Sequence, residues 1–147
     1  MKPCVSEQLQ YYNLLTSEID EAYHNASLKL GLSDSAMMIP YALCSRENPC
    51  PLLEIARLTG ISRQTIHSAI KKLEAQGILT LESPGGRRKL VRLTEEGMEL
   101  AEKTAGRLIK IENEIFDSWT GEELEQYIRL TGRYLEQFRE KTGRLGV

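Results

Sequence analysis

The chain has 147 residues, of which 41% are hydrophobic and 27% are charged, and its formal net charge is −2. This composition fits one domain with its own core, and no apolar run reaches the roughly 18–20 residues that span a bilayer. The first residues contain no apolar signal core, so we expect the protein to stay in the cytoplasm. Three cysteines and two histidines at irregular spacing predict neither a disulfide framework nor a metal site.

The charge is unevenly distributed along the chain. Residues 1–56 carry three Lys/Arg against seven Asp/Glu, residues 57–92 carry eight against two, and residues 93–147 carry eight against twelve. A basic middle segment between acidic ends is typical of a localised phosphate-binding surface. Chance clustering on a solvated face is the alternative, and charge alone does not separate the two.

The amino-terminal third predicts two helices. Apolar residues recur every three or four positions over residues 6–30, which indicates one amphipathic helix that ends at Gly31. Ser33 or Asp34 is suited to cap a second helix. Pro40 lies inside that second pattern and is expected to kink the helix or to end its first part, because proline lacks a backbone N–H.

A helix-turn-helix pattern follows. Residues 46–51 contain two prolines and predict a loop, and Pro51 suits the first turn of a third helix. The apolar set of that helix is Leu53, Ile55, Ala56 and Leu58. A tight turn at Gly60 and an N-cap at Ser62 introduce a fourth helix, which ends at Gly77. Its inward residues, at helical spacing, are Ile66, Ala69, Ile70 and Leu73.

The pattern then changes to strands and returns to helices. Residues 78–83 and 89–94 alternate as short strands, joined by a turn at 84–88 that contains two glycines. Thr94 is predicted to cap one long helix, and a capping box at Thr120 starts another. The apolar stripe of the first of these is Met98, Ala101, Ala105, Leu108, Ile111, Ile115 and Trp119.

Helix, turn, helix, strand, hairpin and strand, in this order, form a DNA-reading arrangement. The residues predicted to contact DNA are Ser62, Arg63, Gln64, Thr65, His67, Ser68, Lys71, Lys72, Arg87 and Arg88. Arg63, Gln64 and Thr65 begin the fourth helix and are placed to reach base edges, since Arg can pair with guanine and Gln with adenine. The two lysines suit phosphates, and the hairpin arginines suit a minor groove. An ordinary solvated surface is the alternative.

These segments resemble the MarR (multiple antibiotic resistance regulator) family. The motifs that carry the likeness are Glu54-Ile55-Ala56, Gly60-Ile61-Ser62, Leu73-Glu74-Ala75-Gln76-Gly77-Ile78 and the run from Arg87 to Gly97. The resemblance implies a mainly α fold with a small two-stranded antiparallel β wing, in a single domain over residues 1–147. Its implied parts are a winged helix-turn-helix lobe at 34–94 (helix-turn-helix 51–76, wing 78–94) and long dimerisation helices at 6–30 and 95–142.

By the same resemblance, the protein is expected to be a homodimeric transcriptional regulator. Its recognition helices would enter successive major grooves of a pseudo-palindromic operator in double-stranded DNA, and its wings would contact the flanking minor grooves. The family's wing usually carries Asp, any residue, Arg. Here the arginine falls on Arg87, but the Asp position is Gly85, so the ion pair that would orient the arginine is missing.

The resemblance further implies repression relieved by a small, often phenolic effector, bound between the DNA-binding lobe and the dimer helices. Residues of the first two helices that would line such a pocket are Tyr23, His24, Met37, Met38 and Tyr41. A helical stripe of Met and aromatic residues also fits an ordinary core, and that alternative stays open.

Two further functions remain possible from the sequence. One is oxidant sensing through a cysteine: Lys2 and Arg46 lie two residues from Cys4 and Cys44, and Cys50 is the third thiol. The other is a winged-helix protein-interaction module without DNA binding. We expect no enzyme and no cofactor, since no nucleophile–base pair, phosphate loop or metal constellation is visible in the sequence.

Overall fold

The computed structural model describes residues 1–86 and 88–146, which form seven helices and three short strands. In chain order these are α1 Glu7–Lys29, α2 Asp34–Ser45, β1 Cys50–Pro51, α3 Leu52–Thr59, α4 Arg63–Ala75, β2 Leu79–Glu82, β3 Leu90–Leu93, α5 Glu95–Lys103, α6 Ala105–Asp117 and α7 Gly121–Thr142. The chain divides into two compact units, Met1–Ile109 and Lys110–Val147. Among the described residues, no helix is long and apolar enough to cross a membrane.

Four helices have a Ser or Thr N-cap at the position that the sequence predicts. Each N-cap oxygen accepts a hydrogen bond from a backbone N–H at the start of its helix, which satisfies a donor that the helix itself leaves unpaired. The predicted caps confirmed in this way are Ser33, Ser62, Thr94 and Thr120, with distances of 3.2, 3.3, 3.0 and 3.1 Å. Gly60 adopts φ +68° after α3, a left-handed conformation that other residues rarely reach.

The first unit has a closed hydrophobic core. Helices α2, α3 and α4, the strands and α5 all contribute buried side chains to it. The four predicted inward residues of α4, namely Ile66, Ala69, Ile70 and Leu73, are at most 9% exposed. Ile55 of α3 and Val91 of β3 are fully buried. Burying a large aliphatic side chain of this kind stabilises the fold by about 1.5–3 kcal/mol, so these residues make a large contribution to the stability of the lobe.

Two predictions about α2 and α3 need correction. Leu53 is 69% exposed, whereas its neighbour Leu52 packs against the core together with Ala56. The apolar stripe therefore begins one residue earlier than predicted. Pro40 does not end α2, which was one of the two effects predicted for it: the helix continues through Pro40 to Ser45, although one helix hydrogen bond is lost.

The predicted loop at residues 46–51 contains a strand. β1 pairs antiparallel with β3, with Cys50 opposite Val91 and Pro51 opposite Leu90. The two predicted wing strands β2 and β3 pair as expected, so the sheet order is β1-β3-β2. The wing hairpin thus has a third, very short strand along its β3 edge.

The helix that the sequence predicts from Thr94 to Trp119 is broken at Thr104. Its backbone leaves helical geometry, with φ −123° and ψ −86°. The Thr104 hydroxyl donates a 2.7 Å hydrogen bond to the Leu100 carbonyl, and the Thr104 N–H bonds to Ala101 instead. A hydroxyl that bonds back to the preceding turn bends helices, which gives this break a local cause.

The first turn of α5 lies unusually close to the residue before β2. A Cβ atom added to Gly97 would stand 1.9 Å from the Ile78 carbonyl oxygen, a backbone atom that no rotamer change can move. Thr94, at the start of this turn, donates its hydroxyl to the Gly77 carbonyl at 2.6 Å. Gly97 therefore permits the contact that joins α5 to the wing.

The second unit contains the end of α6 and the whole of α7. A capping box at Thr120 and Glu123 begins α7, as predicted. Trp119 lies in edge-to-face contact with both Phe116 and Tyr127, with ring centroids 5.2 and 5.3 Å apart. No described residue of this unit is buried. Its exposed large apolar side chains are Ile111, Ile115, Phe116, Tyr127, Ile128, Leu130, Tyr134, Leu135, Phe138 and Leu145.

Candidate nucleic-acid interface

Helix α4 presents a polar face opposite its core face. The tight turn at Gly60 and the cap at Ser62 fix where the helix begins, and Ile66 and Ile70 anchor its inner side. As far as Lys72, the exposed residues are Arg63, Gln64, Thr65, His67, Ser68, Lys71 and Lys72, all of them predicted DNA contacts. No acidic residue occurs between Gly60 and Leu73 in the sequence, so the first three turns of this face are cationic or neutral, and the exposed Glu74 follows in the last turn.

The hydroxyls of Ser62 and Thr65 are engaged with each other. Ser62 Oγ accepts from the Thr65 N–H at 3.3 Å and donates to Thr65 Oγ1 at 2.9 Å. These two side chains therefore organise the first turn of α4, which is the turn expected to approach base edges. Direct contact of Ser62 and Thr65 with DNA stays a prediction.

Ion pairs separate the basic residues into two groups. Arg57 lies 3.4 Å from Glu54, and Arg92 forms a hydrogen-bonded ion pair with Glu82 on the wing. The side-chain hydrogen bond from Arg92 lowers the pKa of Glu82 below its usual value and raises the pKa of Arg92. The other basic residues of the DNA-facing segments form no ion pair with any described residue. They are Arg63, Lys71, Lys72, Arg88 and Lys89.

Lys89 belongs to this unpaired set, although it was not among the predicted contacts. The signal for it was present in the sequence, because it directly follows Arg88 in a run of basic residues. Both side chains are exposed at the end of the wing hairpin. Gly85 and Gly86 form the turn with φ of +77° and +78°, and Arg87 lies outside the described residues.

The five residues predicted to line an effector pocket have different surroundings. His24 Nδ1 lies 3.0 Å from both carboxylate oxygens of Asp34, which links α1 to the start of α2. Met37 is fully buried in a small second core with Ala105 and Leu108, and Tyr41 packs against the same core. Met38 is half-buried, and Tyr23 is 39% exposed. Their role as a pocket stays a prediction.

A cavity of about 210 Å³ lies elsewhere on the same unit. It is bordered by the turn between α1 and α2, the inner edge of α4 and Leu100 of α5. Its lining residues are Gly31, Leu32, Ser33, Ser35, Ala36, Ala69, Lys72, Leu73, Gln76 and Leu100. None of the five predicted pocket residues lines this cavity.

The cysteines are all free thiols in different settings. Cys4 and Cys44 are exposed, and Cys50 is buried in β1. Desolvation of its sulfur raises the pKa of the Cys44 thiol, and the Glu102 carboxylate raises it further. Burial and the Glu54 carboxylate raise the pKa of Cys50 more than Arg46 lowers it. Neither thiol thus has the cationic setting that favours a reactive thiolate, and Arg46, which was predicted to act on Cys44, does not keep the pKa of that thiol low.

A metal centre finds no support in the described part of the chain. No group of three or more His, Cys, Asp or Glu residues is placed there to hold an ion.

Comparison with known proteins agrees with this architecture. Residues 30–89 match the family model described as "MarR family". Among curated proteins, none matches the chain. The match covers α2, β1, α3, α4 and β2 and ends just before β3, so it includes α4, whose exposed face is cationic.

Several solved structures share the fold. Sco3205 of Streptomyces coelicolor, a MarR family transcriptional regulator in complex with DNA, is 19% identical, with a TM-score of 0.71 over 92% of this chain and 91% of that chain. A MarR/EmrR family transcriptional regulator of Acinetobacter sp. ADP1 is 22% identical, with a TM-score of 0.69 over 92% and 94%. BpsR of Bordetella bronchiseptica, whose DNA binding is regulated by 6-hydroxynicotinic acid, is 20% identical, with a TM-score of 0.64 over 84% and 98%. The predicted fold class is confirmed.

Proposed function

The predicted resemblance to the MarR family of transcriptional regulators is confirmed, and from it we propose that this protein binds double-stranded DNA in a sequence-specific manner. The observation that carries the proposal is the exposed face of α4. Arg63, His67 and Lys71 follow one another along it at one-turn spacing, and the first acidic residue of the helix, Glu74, comes only in its last turn. In the proposal, the lobe at 34–94 reads DNA.

The roles of these side chains follow from their position on α4. Arg63 and Gln64 occupy the first turn, where a recognition helix meets base edges, and both can make two hydrogen bonds to one base. Lys71 and Lys72 occupy the last turns and are assigned to phosphates, with Arg88 and Lys89 on the wing. A protein-interaction module would not need this unpaired cationic face.

The proposal is tested by selecting bound sequences from a pool of random DNA duplexes and measuring affinity for the selected site against salt. Counterion release predicts that affinity falls by about 0.9 log units per log unit of salt for each phosphate contacted. Lys71→Ala should reduce that slope, whereas Lys103→Ala, the same change near the end of α5, should not. A slope near zero, or no selected sequence, would contradict the proposal.

We propose further that the protein acts as a homodimer on a pseudo-palindromic operator in the cytoplasm. Exposed apolar residues on α1 and α7, such as Leu15, Ile19 and Phe138, are more than a stable monomer leaves open. A second copy related by twofold symmetry is the proposed occupant of these faces, contacted by the helices at 6–30 and 95–142. Sedimentation of the full chain at micromolar concentration tests this, since a folded 16.7 kDa monomer would contradict it.

Repression relieved by a small aromatic effector completes the proposal. It is supported by the regulation of BpsR by 6-hydroxynicotinic acid and by aromatic and Met side chains on α1 and α2 of this chain. Aromatic acids and phenols should release the selected DNA, and Tyr41→Ala should weaken their effect without changing affinity for DNA in their absence. If these compounds release DNA from the Tyr41→Ala variant as strongly as from the wild type, the effector does not bind beside Tyr41.

Oxidant sensing is the second candidate, and Cys4 is the thiol left for it. The raised pKa values of Cys44 and Cys50 disfavour their thiolates. Peroxide treatment of the Cys4→Ser variant tests the candidate: release of DNA that persists in this variant would exclude Cys4 as the sensor.

A further inference from the structure

Strand β3 of the wing is held on two edges of very different strength. On one edge, β2 pairs with it over four residues, from Leu79 opposite Leu93 to Glu82 opposite Leu90. On the other edge, β1 contributes only Cys50 and Pro51. An isolated two-stranded hairpin is marginally stable, so the short β1 edge matters for how firmly the wing is held.

The register of β1 shows what supports its edge beyond the strand. Because Cys50 faces Val91 in an antiparallel pair, Leu52 lies opposite Lys89 and Asn48 lies opposite Leu93. The Leu52 N–H donates to the Lys89 carbonyl at 3.0 Å, which extends the ladder at one end. At the other end, the same alternation would pair the Leu93 N–H with the backbone carbonyl of Asn48.

The side chain of Asn48 takes the place of the missing backbone contact. Its Oδ1 accepts a 2.9 Å hydrogen bond from the Leu93 N–H, 45 positions later in the chain. Its Nδ2 lies 3.9 Å from the sulfur of Met98 in α5. One exposed amide thus connects the loop before β1 with the end of β3 and with the helix that follows.

The same loop borders the cationic end of the wing. Asn48 and Pro49 line an open cleft together with Arg88 and Leu90. Arg88 and Lys89 directly precede β3, so any tilt or fraying of this strand moves them. Their positions relative to α4 depend on how β3 is fixed.

We propose that Asn48 is a positioning residue for DNA binding: it holds β3 so that Arg88 and Lys89 reach the DNA beside the site read by α4. This inference rests on the proposed function. Asn48 acts through β3 and makes no contact with DNA itself. Removal of its side chain should loosen the wing while α4 remains in place.

The experiment compares Asn48→Ala with Arg88→Ala on two duplexes, the full selected site and a site trimmed of the outer base pairs that the wings would cover. Each variant should lose about tenfold in affinity for the full site and little for the trimmed one. The double variant should lose little more than Asn48→Ala alone, because a loosened wing has already lost the Arg88 contact. Equal losses on both duplexes, or additive losses, would overturn the proposal.

Hydrogen exchange provides a readout that does not depend on DNA. The Leu93 amide should exchange faster in Asn48→Ala and stay protected in Asn48→Asp, whose carboxylate still accepts the N–H. Met98→Leu, which removes only the sulfur contact, should resemble the wild type. Unchanged Leu93 exchange in Asn48→Ala overturns the positioning role, whereas failure of the wild type to select any duplex overturns the proposed function.

Discussion

Apart from α1, whose apolar residues are largely exposed, the helices of the two units use their apolar faces in opposite ways. In Met1–Ile109, the apolar faces of α2, α3, α4 and α5 meet one another and the sheet, and every buried residue of the described chain lies there. In Lys110–Val147, α7 has an equally clear apolar face, yet none of its residues is buried. The spacing of apolar residues therefore predicts which face of a helix is apolar. It does not show whether other parts of the same chain bury that face.

The largest expected effect tests the open face of α7. Phe138 is 52% exposed and stacks on Tyr134, one turn earlier on the same face. Phe138→Glu should weaken the dimer by about 3 kcal/mol or more, because a charge then enters the interface from both copies. Sedimentation equilibrium measures this change.

Arg133→Gln is the matched control, with the same change of charge on the polar side of α7. It should leave the dimer intact, and the winged lobe of Phe138→Glu should keep its helical signal. A dimer that survives Phe138→Glu would show that α7 is not covered by a second copy.

The next effect tests the closed core of the first unit. Ile55→Ala removes a fully buried side chain and should lower the free energy of unfolding by about 2–5 kcal/mol. Leu53→Ala, two residues earlier on the same helix, should change it by less than about 0.5 kcal/mol because Leu53 is 69% exposed. Chemical denaturation of both variants measures the difference, and similar losses would refute the described placement of α3.

The third prediction compares the first turn of α4 with a later turn on its outer face. Arg63→Ala or Gln64→Ala should weaken the selected site far more than scrambled DNA, by about 1–3 kcal/mol per half-site, because base-edge contacts provide discrimination. Lys71→Ala should weaken both duplexes alike, since phosphate contacts carry no direct sequence information. Binding curves for these variants on the two duplexes decide it: equal losses from Arg63→Ala would mean that this helix end does not read bases.

The smallest effect concerns the start of α7. The Thr120 backbone N–H, and then its side chain, lower the pKa of Glu123 by hydrogen bonding to its carboxylate. A lowered pKa stabilises the folded state above the ordinary carboxyl pKa, and this contribution is lost as the pH falls through the lowered value. The stability of the wild type should therefore decline slightly more between about pH 5 and 3 than that of Glu123→Ala. Parallel pH dependences would show that the capping box does not act in solution.

Local features of the fold could be predicted from the sequence. The cap at Ser62 and the four inward residues of α4 depend only on residues within one helix, and all were confirmed. The wing strands were also placed to within about a residue, since alternation and glycines mark them. Leu53 was misplaced because two adjacent leucines are equally hydrophobic, and only the core decides which of them faces inward.

The missed features depend on residues far apart in the sequence. Cys50 and Pro51 form a strand only because β3 lies beside them, about 40 positions later. Among the candidate DNA contacts, residue type alone could identify Arg63 and Lys71. Whether Arg92 is engaged by Glu82 depends on strand register, which composition does not report.

The contact at Gly97 limits the sequences that can maintain this wing. Even alanine would force the Ile78 carbonyl, and with it the start of β2, away from α5. Exchanging the wing hairpin for one of different sequence, to alter the DNA preference, is compatible with this fold only when the glycine is kept. Any grafted wing must therefore be followed by an α5 helix that keeps glycine at position 97.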